Sequence, residues 1–336
     1  MPIPYGEWGS FEHLKDASGL HVWQGHRGVV LDTVSEYRVI HCFSCALNHF
    51  VPLPSEAELA QYYRERFYQA EKTDMIARYE EDATWWALWH QTILEQAAAL
   101  LGKENGEGLR VLDVGTGPGL FLETAQRLGW VIYGIEPSTD PALWWRYTEH
   151  DLPVSQETLA SYRAYHMNVG DHPYDLIHAW EVLEHQADPE AFVEDCWALL
   201  KPSGILSVTV PFDYSPLQML ACERLKSPHW WVCPPQHLSF FTPKMLQLLV
   251  RRCGFLLADT WSSYPMETFL LAGRNYIGND VLGRQCHHER VAWELAAAEA
   301  GLWPILLEQR RAAVANPYSG SMGREVTVLA RAKEGQ

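Results

Sequence analysis

Positive charge is scarce in this chain. Its 336 residues carry 26 lysines and arginines against 42 aspartates and glutamates, a formal net charge of −16. Binding a polyanion takes Lys and Arg to neutralise phosphates, and no run of basic residues interrupts the sequence. Nucleic acid is therefore not an expected partner. Long apolar runs are missing too. No stretch approaches the roughly 20 residues needed to span a bilayer. The opening Met1-Pro-Ile-Pro-Tyr-Gly-Glu-Trp8 has neither the basic start nor the apolar core of a secretory signal. The expectation is a cytoplasmic protein with no membrane partner. Cysteines number 7, an odd count, and only Cys42 and Cys45 lie close together, so no disulfide framework is read. Repeats and low-complexity tracts are absent. With 47% hydrophobic and 20% charged residues, the chain should fold as one large or two moderate domains.

What the sequence does have is a glycine loop between two apolar strands. Arg110-Val-Leu-Asp-Val-Gly-Thr-Gly-Pro-Gly119 is followed by a helix and then by Val131-Ile-Tyr-Gly-Ile-Glu136. Glycines Gly115, Gly117 and Gly119 let the backbone turn tightly and approach a ligand closely. The helix behind them aims its free N–H groups at that ligand. Glu136, ending the second strand, is placed to accept hydrogen bonds from ribose hydroxyls. Dinucleotide sites want Gly-x-Gly-x-x-Gly. Here the third glycine of that pattern is replaced by Leu120, and Asp113 stands two residues before the loop.

The order of elements continues the pattern. Strands are read at 109–114, 131–136, 152–155, 174–180 and 204–210, alternating with helices, and a last strand at 324–330. This predicts an α/β fold, a Rossmann-like, doubly wound, mostly parallel sheet with ligand at the strands' C-terminal ends. Before it, 1–70 reads as an N-terminal ribbon-like α+β region with short strands. Residues 71–108 read as a helical cap, a long helix over 74–101, and a linker. The core runs over 109–262 with a lid insertion at 212–241, and 263–336 forms a C-terminal extension completing the sheet, with one helix near 289–300. Tryptophan is abundant, at 15 residues. Trp85-Trp86, Trp144-Trp145 and Trp230-Trp231 read mostly as packing, with a minority lining an aromatic pocket.

Three segments resemble the small-molecule class I S-adenosylmethionine methyltransferases, a group that includes the ubiquinone-biosynthesis O-methyltransferases. They are the glycine loop with Gly134-Ile-Glu-Pro-Ser138, Tyr174-Asp-Leu-Ile-His-Ala-Trp-Glu-Val-Leu-Glu-His185, and Leu200 to Pro211 followed by Pro235-Gln-His-Leu-Ser-Phe-Phe-Thr-Pro243. The resemblance implies S-adenosylmethionine as cofactor. Its methionine end would lie against Asp113, Gly115, Thr116, Gly117 and Gly119, its ribose on Glu136, its adenine near Pro137 with Gln156 or Glu157 at the edge, and its sulfonium side above Trp180 and Glu181. A small-molecule acceptor is implied, a sugar, nucleotide sugar or other secondary metabolite. Its proton would go to a histidine base, His185 or His237. Tyr62, Tyr63, Trp231 and Phe241 are candidates for the acceptor wall, each also readable as packing. The alternatives are a protein methyltransferase or a non-catalytic cofactor-binding module. The sequence names neither an acceptor nor an oligomeric state.

The N-terminal part resembles the zinc ribbon of bacterial sugar methyltransferases. Cys42-Phe-Ser-Cys45, Pro52-Leu-Pro-Ser55 and Glu58-Leu-Ala-Gln-Tyr-Tyr63 match its second half. Where the first pair of cysteines would stand, this chain has His21-Val-Trp-Gln-Gly-His26. Two readings stand side by side: His21, His26, Cys42 and Cys45 as a structural zinc set, or a hairpin that packs without metal.

Overall fold

A computed structural model describes residues 19–35, 37–54, 58–59, 62, 74–169, 174–315 and 322–333. Ser55 of the Pro52-Leu-Pro-Ser55 match and Tyr63, a candidate for the acceptor wall, lie outside the described residues. Two sheets organise the described chain. The larger has seven strands in the order β11-β12-β9-β8-β5-β6-β7. Its members are β5 (Arg110–Val114), β6 (Val131–Ile135), β7 (Val154–Ser155), β8 (Tyr174–Trp180), β9 (Leu200–Pro211), β11 (Phe255–Ser262) and β12 (Glu325–Ala332). The strands β7, β6, β5, β8 and β9 run parallel, while β12 enters antiparallel between β9 and β11. The expected doubly wound sheet is present, and the last strand of the chain, β12, is inserted inside it, with β11 at the edge.

Both faces of this sheet are covered, which is why its strands read as unbroken apolar runs. Alternate residues enter opposite cores. Leu112, Ile177 and Leu206 join the core beneath α5 (Leu159–Val169), α6 (Pro189–Leu199) and α8 (Pro243–Arg252). Val111, Leu176 and Ile205 join the core beneath α2 (Ala83–Leu100), α3 (Leu120–Arg127) and α4 (Pro141–Glu149). The order reverses at β5, between β6 on one side and β8 on the other, which opens a crevice at the C-terminal ends of the strands.

The smaller sheet is antiparallel, in the order β1-β2-β3-β4-β10. It comprises β1 (His21–Trp23), β2 (His26–Val34), β3 (Tyr37–Cys42), β4 (Asn48–Val51) and β10 (Ser239–Phe240). Strand β10 belongs to the expected lid, so the insertion at 212–241 is fastened to the N-terminal sheet by main-chain pairing of Ser239 with His49 and Phe240 with Asn48. A clasp of side chains adds to this: Tyr214 Oη donates to Asp32 at 2.6 Å, and His229 Nδ1 meets the same carboxylate oxygen at 2.6 Å. Helix α7 (Pro216–Leu225) opens with a capping box of Ser215 and Gln218 inside the insertion.

Three expectations change. The long helix over 74–101 is two helices, α1 (Met75–Glu81) and α2, parted at Asp82. Asp82 is drawn away by Arg284 (2.8 Å) and His287 (2.9 Å). The third core strand shrinks to Val154–Ser155. The extension carries α9 (Glu267–Leu271), α10 (Asp280–Glu299) and α11 (Trp303–Ala315) rather than one helix. The buried positions of α10 are Cys286, Arg290 and Glu294, so an apolar stripe does not mark it.

Candidate functional site

The glycine loop leaves β5 with Gly115 at φ 71°, Gly117 at 49° and Gly119 at 85°. All three lie in the left-handed region that favours glycine. Gly115 N–H donates to Ile135 O at 2.9 Å and Thr116 Oγ1 to Asp113 O at 3.2 Å. Helix α4 grips the loop from the far side: Tyr147 Oη donates to Gly117 O, and Arg146 Nη1 to Pro118 O at 2.5 Å. A methyl group placed on Gly117 would meet nothing nearer than Gly115 O at 4.0 Å. The loop's outer face is thus open where a ligand would rest.

A pocket opens against this loop. Its walls include Tyr79 and Trp86, His90 from α2, Asp113, Phe121, and His178 and Trp180 from β8. His178 is 2% exposed and holds Asp113 through Nδ1 at 2.7 Å, stacked on Phe121 with ring centres 3.6 Å apart. Since Nδ1–H donates to the carboxylate, His178 Nε2 carries a lone pair. That atom and His90 Nδ1 are buried and have no hydrogen-bond partner among the described residues. Burial holds the His90 pKa well below its usual value. The pocket therefore offers a carboxylate, unsatisfied imidazole nitrogens and aromatic faces. That set suits the ammonium and sulfonium of S-adenosylmethionine, and the residues present fit the cofactor. His90 and His178 were missed in the sequence because neither stands in the loop motif. Trp86 is the tryptophan of its pair that reaches the pocket.

Glu136 is 2% exposed. Its carboxylate accepts from Gly117 N–H at 3.0 Å and Ser138 N–H at 2.9 Å, so it joins the second strand's end to the loop. Pro137 follows it, and Gln156 Nε2 reaches Ser138 O at 3.2 Å, which places the loop after β7 beside this turn. Glu157 N–H donates to Ser155 O.

Strand β8 ends with Trp180, and Glu181 takes the left-handed conformation at φ 54°. A non-glycine residue held there stores strain of the kind that gathers at functional sites. The turn Leu183–His185 follows. The insertion lies over it: Leu238 N–H donates to Glu184 O at 2.8 Å, and His185 Nδ1 donates to Gln236 O at 2.5 Å. This brings the rings of His185 and His237 to 5.1 Å. Ligating atoms of Glu184, His185 and His237 all lie within 4.8 Å of one another. His237 Nδ1 stands 4.0 Å from Asp213 Oδ2, and burial pushes the Asp213 pKa up to about 7. The two histidines expected as bases are brought together; Glu184 and Asp213 were not foreseen. Trp231 and Phe241, candidates for an acceptor wall, are 5% and 0% exposed core residues.

In the N-terminal sheet a second cluster forms. His26, Cys42, Cys45 and His49 place one ligand atom each within 4.8 Å of the others. His26 Nδ1 is 3.5 Å from Cys42 Sγ, and the His26 and His49 rings are 4.8 Å apart. Three expected ligands are brought together. Of the fourth, His21, the backbone pairs with Gly28, while its side chain lies outside the described residues. His49, which the sequence reading missed, completes the described set. The signal was present as His49 four residues after Cys45. The hydrogen bond from the Cys45 thiol holds the Cys42 pKa well below the usual thiol value, and Cys45 is pushed up by the same bond and by burial.

This fold and this loop define a class I S-adenosylmethionine-dependent methyltransferase. A family model described as a methyltransferase domain matches residues 86–259, more than half of the chain, and the chain belongs to that family. Curated relatives include the ubiquinone biosynthesis O-methyltransferase of Rhodopseudomonas palustris (strain TIE-1), 39% identical over 175 residues, 47% of this chain and 67% of that protein. The enzyme of the same name from Haemophilus ducreyi (strain 35000HP / ATCC 700724) is 35% identical over 109 residues, 31% of this chain and 46% of that protein. The chain thus spans about half to two thirds of the length of these relatives. Among solved structures, magnesium protoporphyrin IX methyltransferase from Synechocystis PCC 6803 with bound SAH is similar, with a TM-score of 0.47, 12% identity, and coverage of 83% of this chain and 100% of that one. Among the described residues no helix is long and apolar enough to cross a membrane.

Proposed function

We propose that the chain transfers the methyl group of S-adenosylmethionine to a hydroxyl of a small, hydroxyl-rich acceptor such as a sugar, a nucleotide sugar or a related secondary metabolite. The observation that carries this reading is the His185–His237 pair, which joins the turn after β8 to the insertion. The cofactor supplies an activated methyl on a good leaving group, so alignment and loss of the acceptor proton are the tasks left to the protein. His185 donates from Nδ1 to Gln236 O, which leaves the lone pair on Nε2 for proton transfer. Asp213 Oδ2, 4.0 Å from His237 Nδ1, is buried and accepts no hydrogen bond from a described residue. Buried acceptors of this kind call for donors, and a polyhydroxylated ligand supplies them. The relatives' printed name, an O-methyltransferase, favours oxygen as the atom methylated. Asp113, Gly115, Thr116, Gly117 and Gly119 would hold the methionine end, Glu136 the ribose, Pro137 one face of the adenine, and Trp180 and Glu181 the sulfonium side.

Calorimetry with S-adenosylmethionine and S-adenosylhomocysteine, followed by mass spectrometry of hydroxylated acceptors for an added methyl, tests the reading. Micromolar cofactor binding with formation of a methyl ether is expected. Failure of both ligands to bind folded protein overturns it.

We also propose that His26, Cys42, Cys45 and His49 hold a structural zinc ion. His49 Nδ1 donates to Phe50 O at 2.7 Å, and its buried Nε2 has no hydrogen-bond partner among the described residues. A ligand histidine is commonly oriented by such a carbonyl, and two thiolates with two imidazoles make a tetrahedral set. The ion would fix the β2–β4 corner to which β10 is paired. One zinc per chain is expected by elemental analysis, and none in Cys45→Ser or His49→Ala. Metal-free protein that takes up no added zinc would dismiss the site.

A further inference from the structure

We infer that Asp213, Glu267 and Arg324 form the acceptor subsite, and that it takes two neighbouring hydroxyls of an uncharged sugar ring or similar polyol, one bridging Glu267 and Arg324 and the other donating to Asp213. The inference deepens the reading given under Proposed function and rests on it for the presence of an acceptor. Three observations carry it. The first is placement. Asp213 stands just past the end of β9 and Arg324 just before the start of β12, and Phe212 N–H donates to Arg324 O at 2.9 Å, so the two residues are brought alongside each other. Glu267 opens α9, and its Oε1 is 3.9 Å from Arg324 Nη1. The end of β9 lies at the same edge of the sheet as the glycine loop, because β5, β8 and β9 run parallel. Two observations tie this group to the centre already described. Asp213 Oδ2 is 4.0 Å from His237 Nδ1. Tyr79, a wall of the cofactor pocket, lies within the field of Glu325, the residue after Arg324.

The second is unmet hydrogen bonding. Glu267 is 0% exposed and Asp213 1%. Neither carboxylate oxygen of Glu267, nor Oδ2 of Asp213, has a hydrogen-bond partner among the described residues. Asp213 Oδ1 receives Gln218 Nε2 at a long 3.4 Å. Buried acceptors left in this condition cost free energy until a donor reaches them. At 3.9 Å, Arg324 and Glu267 form an ion pair that is too wide for a hydrogen bond. A guanidinium only donates and a carboxylate only accepts, whereas a hydroxyl does both. One hydroxyl seated between them therefore completes both groups at once, and a second hydroxyl on the same ligand supplies the donor that Asp213 Oδ2 lacks.

The third is charge. The charges that act on Arg324 are those of Glu267, Glu325 and Asp213, and Glu325 already accepts from Ser263 Oγ. The other cation acting on Glu267 is Arg290, which is engaged by His287 at 2.9 Å and by the face of Trp85. A phosphate or carboxylate on the acceptor would meet more negative than positive charge here. An ammonium would meet the guanidinium across the gap in which the ligand is held. Like charges at such distances repel strongly away from bulk water. An uncharged hydroxyl meets neither penalty. The end of the acceptor seated here is therefore neutral, and any phosphate that the acceptor carries points away from the start of β12. With Asp213 beside His237, the hydroxyl that donates to Asp213 is the one presented for methylation, and the hydroxyl between Glu267 and Arg324 is the anchor that selects it.

The test uses the full chain saturated with S-adenosylhomocysteine. The probes are the methyl glycosides of glucose, galactose and mannose, each with its uronate and its 2-amino counterpart, and binding is read by saturation-transfer NMR and calorimetry. At least one neutral glycoside is expected to bind, with both charged counterparts of that sugar at least ~10-fold weaker. Glu267→Gln and Arg324→Ala are each expected to weaken the neutral glycoside at least ~10-fold, the loss of one hydrogen bond to a charged group. S-adenosylhomocysteine is expected to bind these variants as it binds the parent, which shows that they fold. Asp213→Asn takes the place of a variant that does not fold and is expected to show the same loss. No neutral glycoside bound, a charged counterpart bound as tightly, or undiminished binding in the folded variants overturns the inference. S-adenosylhomocysteine titrated alone distinguishes the two failures. Cofactor binding without the contrast among the sugars removes this subsite and leaves methyl transfer standing. Absent cofactor binding removes the methyl-transfer reading itself.

Discussion

Replacing Glu136 by alanine is expected to weaken S-adenosylmethionine binding by at least ~100-fold, read as the calorimetric Kd. Two charge-assisted hydrogen bonds to ribose hydroxyls, each contributing about 1.5–3 kcal/mol, would be lost. The carboxylate also accepts from Gly117 N–H and Ser138 N–H, so the variant loosens the loop that faces the methionine end. Glu136→Gln separates the two roles. Its amide oxygen still accepts one backbone bond and one ribose bond without the charge, and a loss nearer ~10-fold is expected from the weaker neutral bonds. An alanine variant that folds and binds the cofactor as tightly as the parent would remove Glu136 from the site and, with it, the assignment of the ribose end.

Glu136 and the loop were legible because their signals are local. A continuous apolar strand, three glycines and an acid at the end of the next strand occupy a short window of sequence, and the backbone there has few alternatives. The apolar strands read at 109–114, 174–180 and 204–210 announce themselves for the same reason. Glu184 was passed over because nothing local marks it. It sits in a polar Glu-His pair, and its burial is imposed by Leu238 and Gln236, which arrive from the insertion more than fifty positions later. His90 and His178 were invisible likewise: one belongs to a helix before the core, the other to a strand that reads as apolar. His49 shows the same limit at short range. No motif marks Asn48-His-Phe-Val51 in the sequence, and only pairing with β3 brings His49 next to His26 and the cysteines. Local pattern identifies the glycine loop; convergence of distant segments builds the side proposed for the acceptor.

Helices α10 and α11 mark where burial departs from apolarity, and they carry the largest expected loss of stability. Glu294 is 0% exposed and receives Arg310 Nη2 at 2.5 Å, Trp85 Nε1 at 2.6 Å and Trp89 Nε1 at 3.2 Å. Arg290 lies over the Trp85 ring at 4.6 Å. Removing one partner of a buried pair strands the other charge, at a cost of about 3–5 kcal/mol, and Arg310 has little route to solvent at 7% exposed. Glu294→Ala is therefore expected to lower the unfolding free energy by that amount, about 3–5 kcal/mol in a urea titration near neutral pH. Glu294→Gln keeps an acceptor for the indoles and is expected to cost less. Glu81→Ala is the contrast: its carboxylate is 55% exposed in its pair with Arg284, and solvent screening should leave the midpoint unmoved. Equal effects at Glu81 and Glu294 would mean that burial is not what gives the inner pair its weight. The consequence reaches the site, because Trp85 and Trp89 share α2 with Trp86 and His90 of the cofactor pocket. A helix released from Glu294 shifts those two walls, so Glu294→Ala is also expected to bind S-adenosylmethionine more weakly even under conditions where it remains folded.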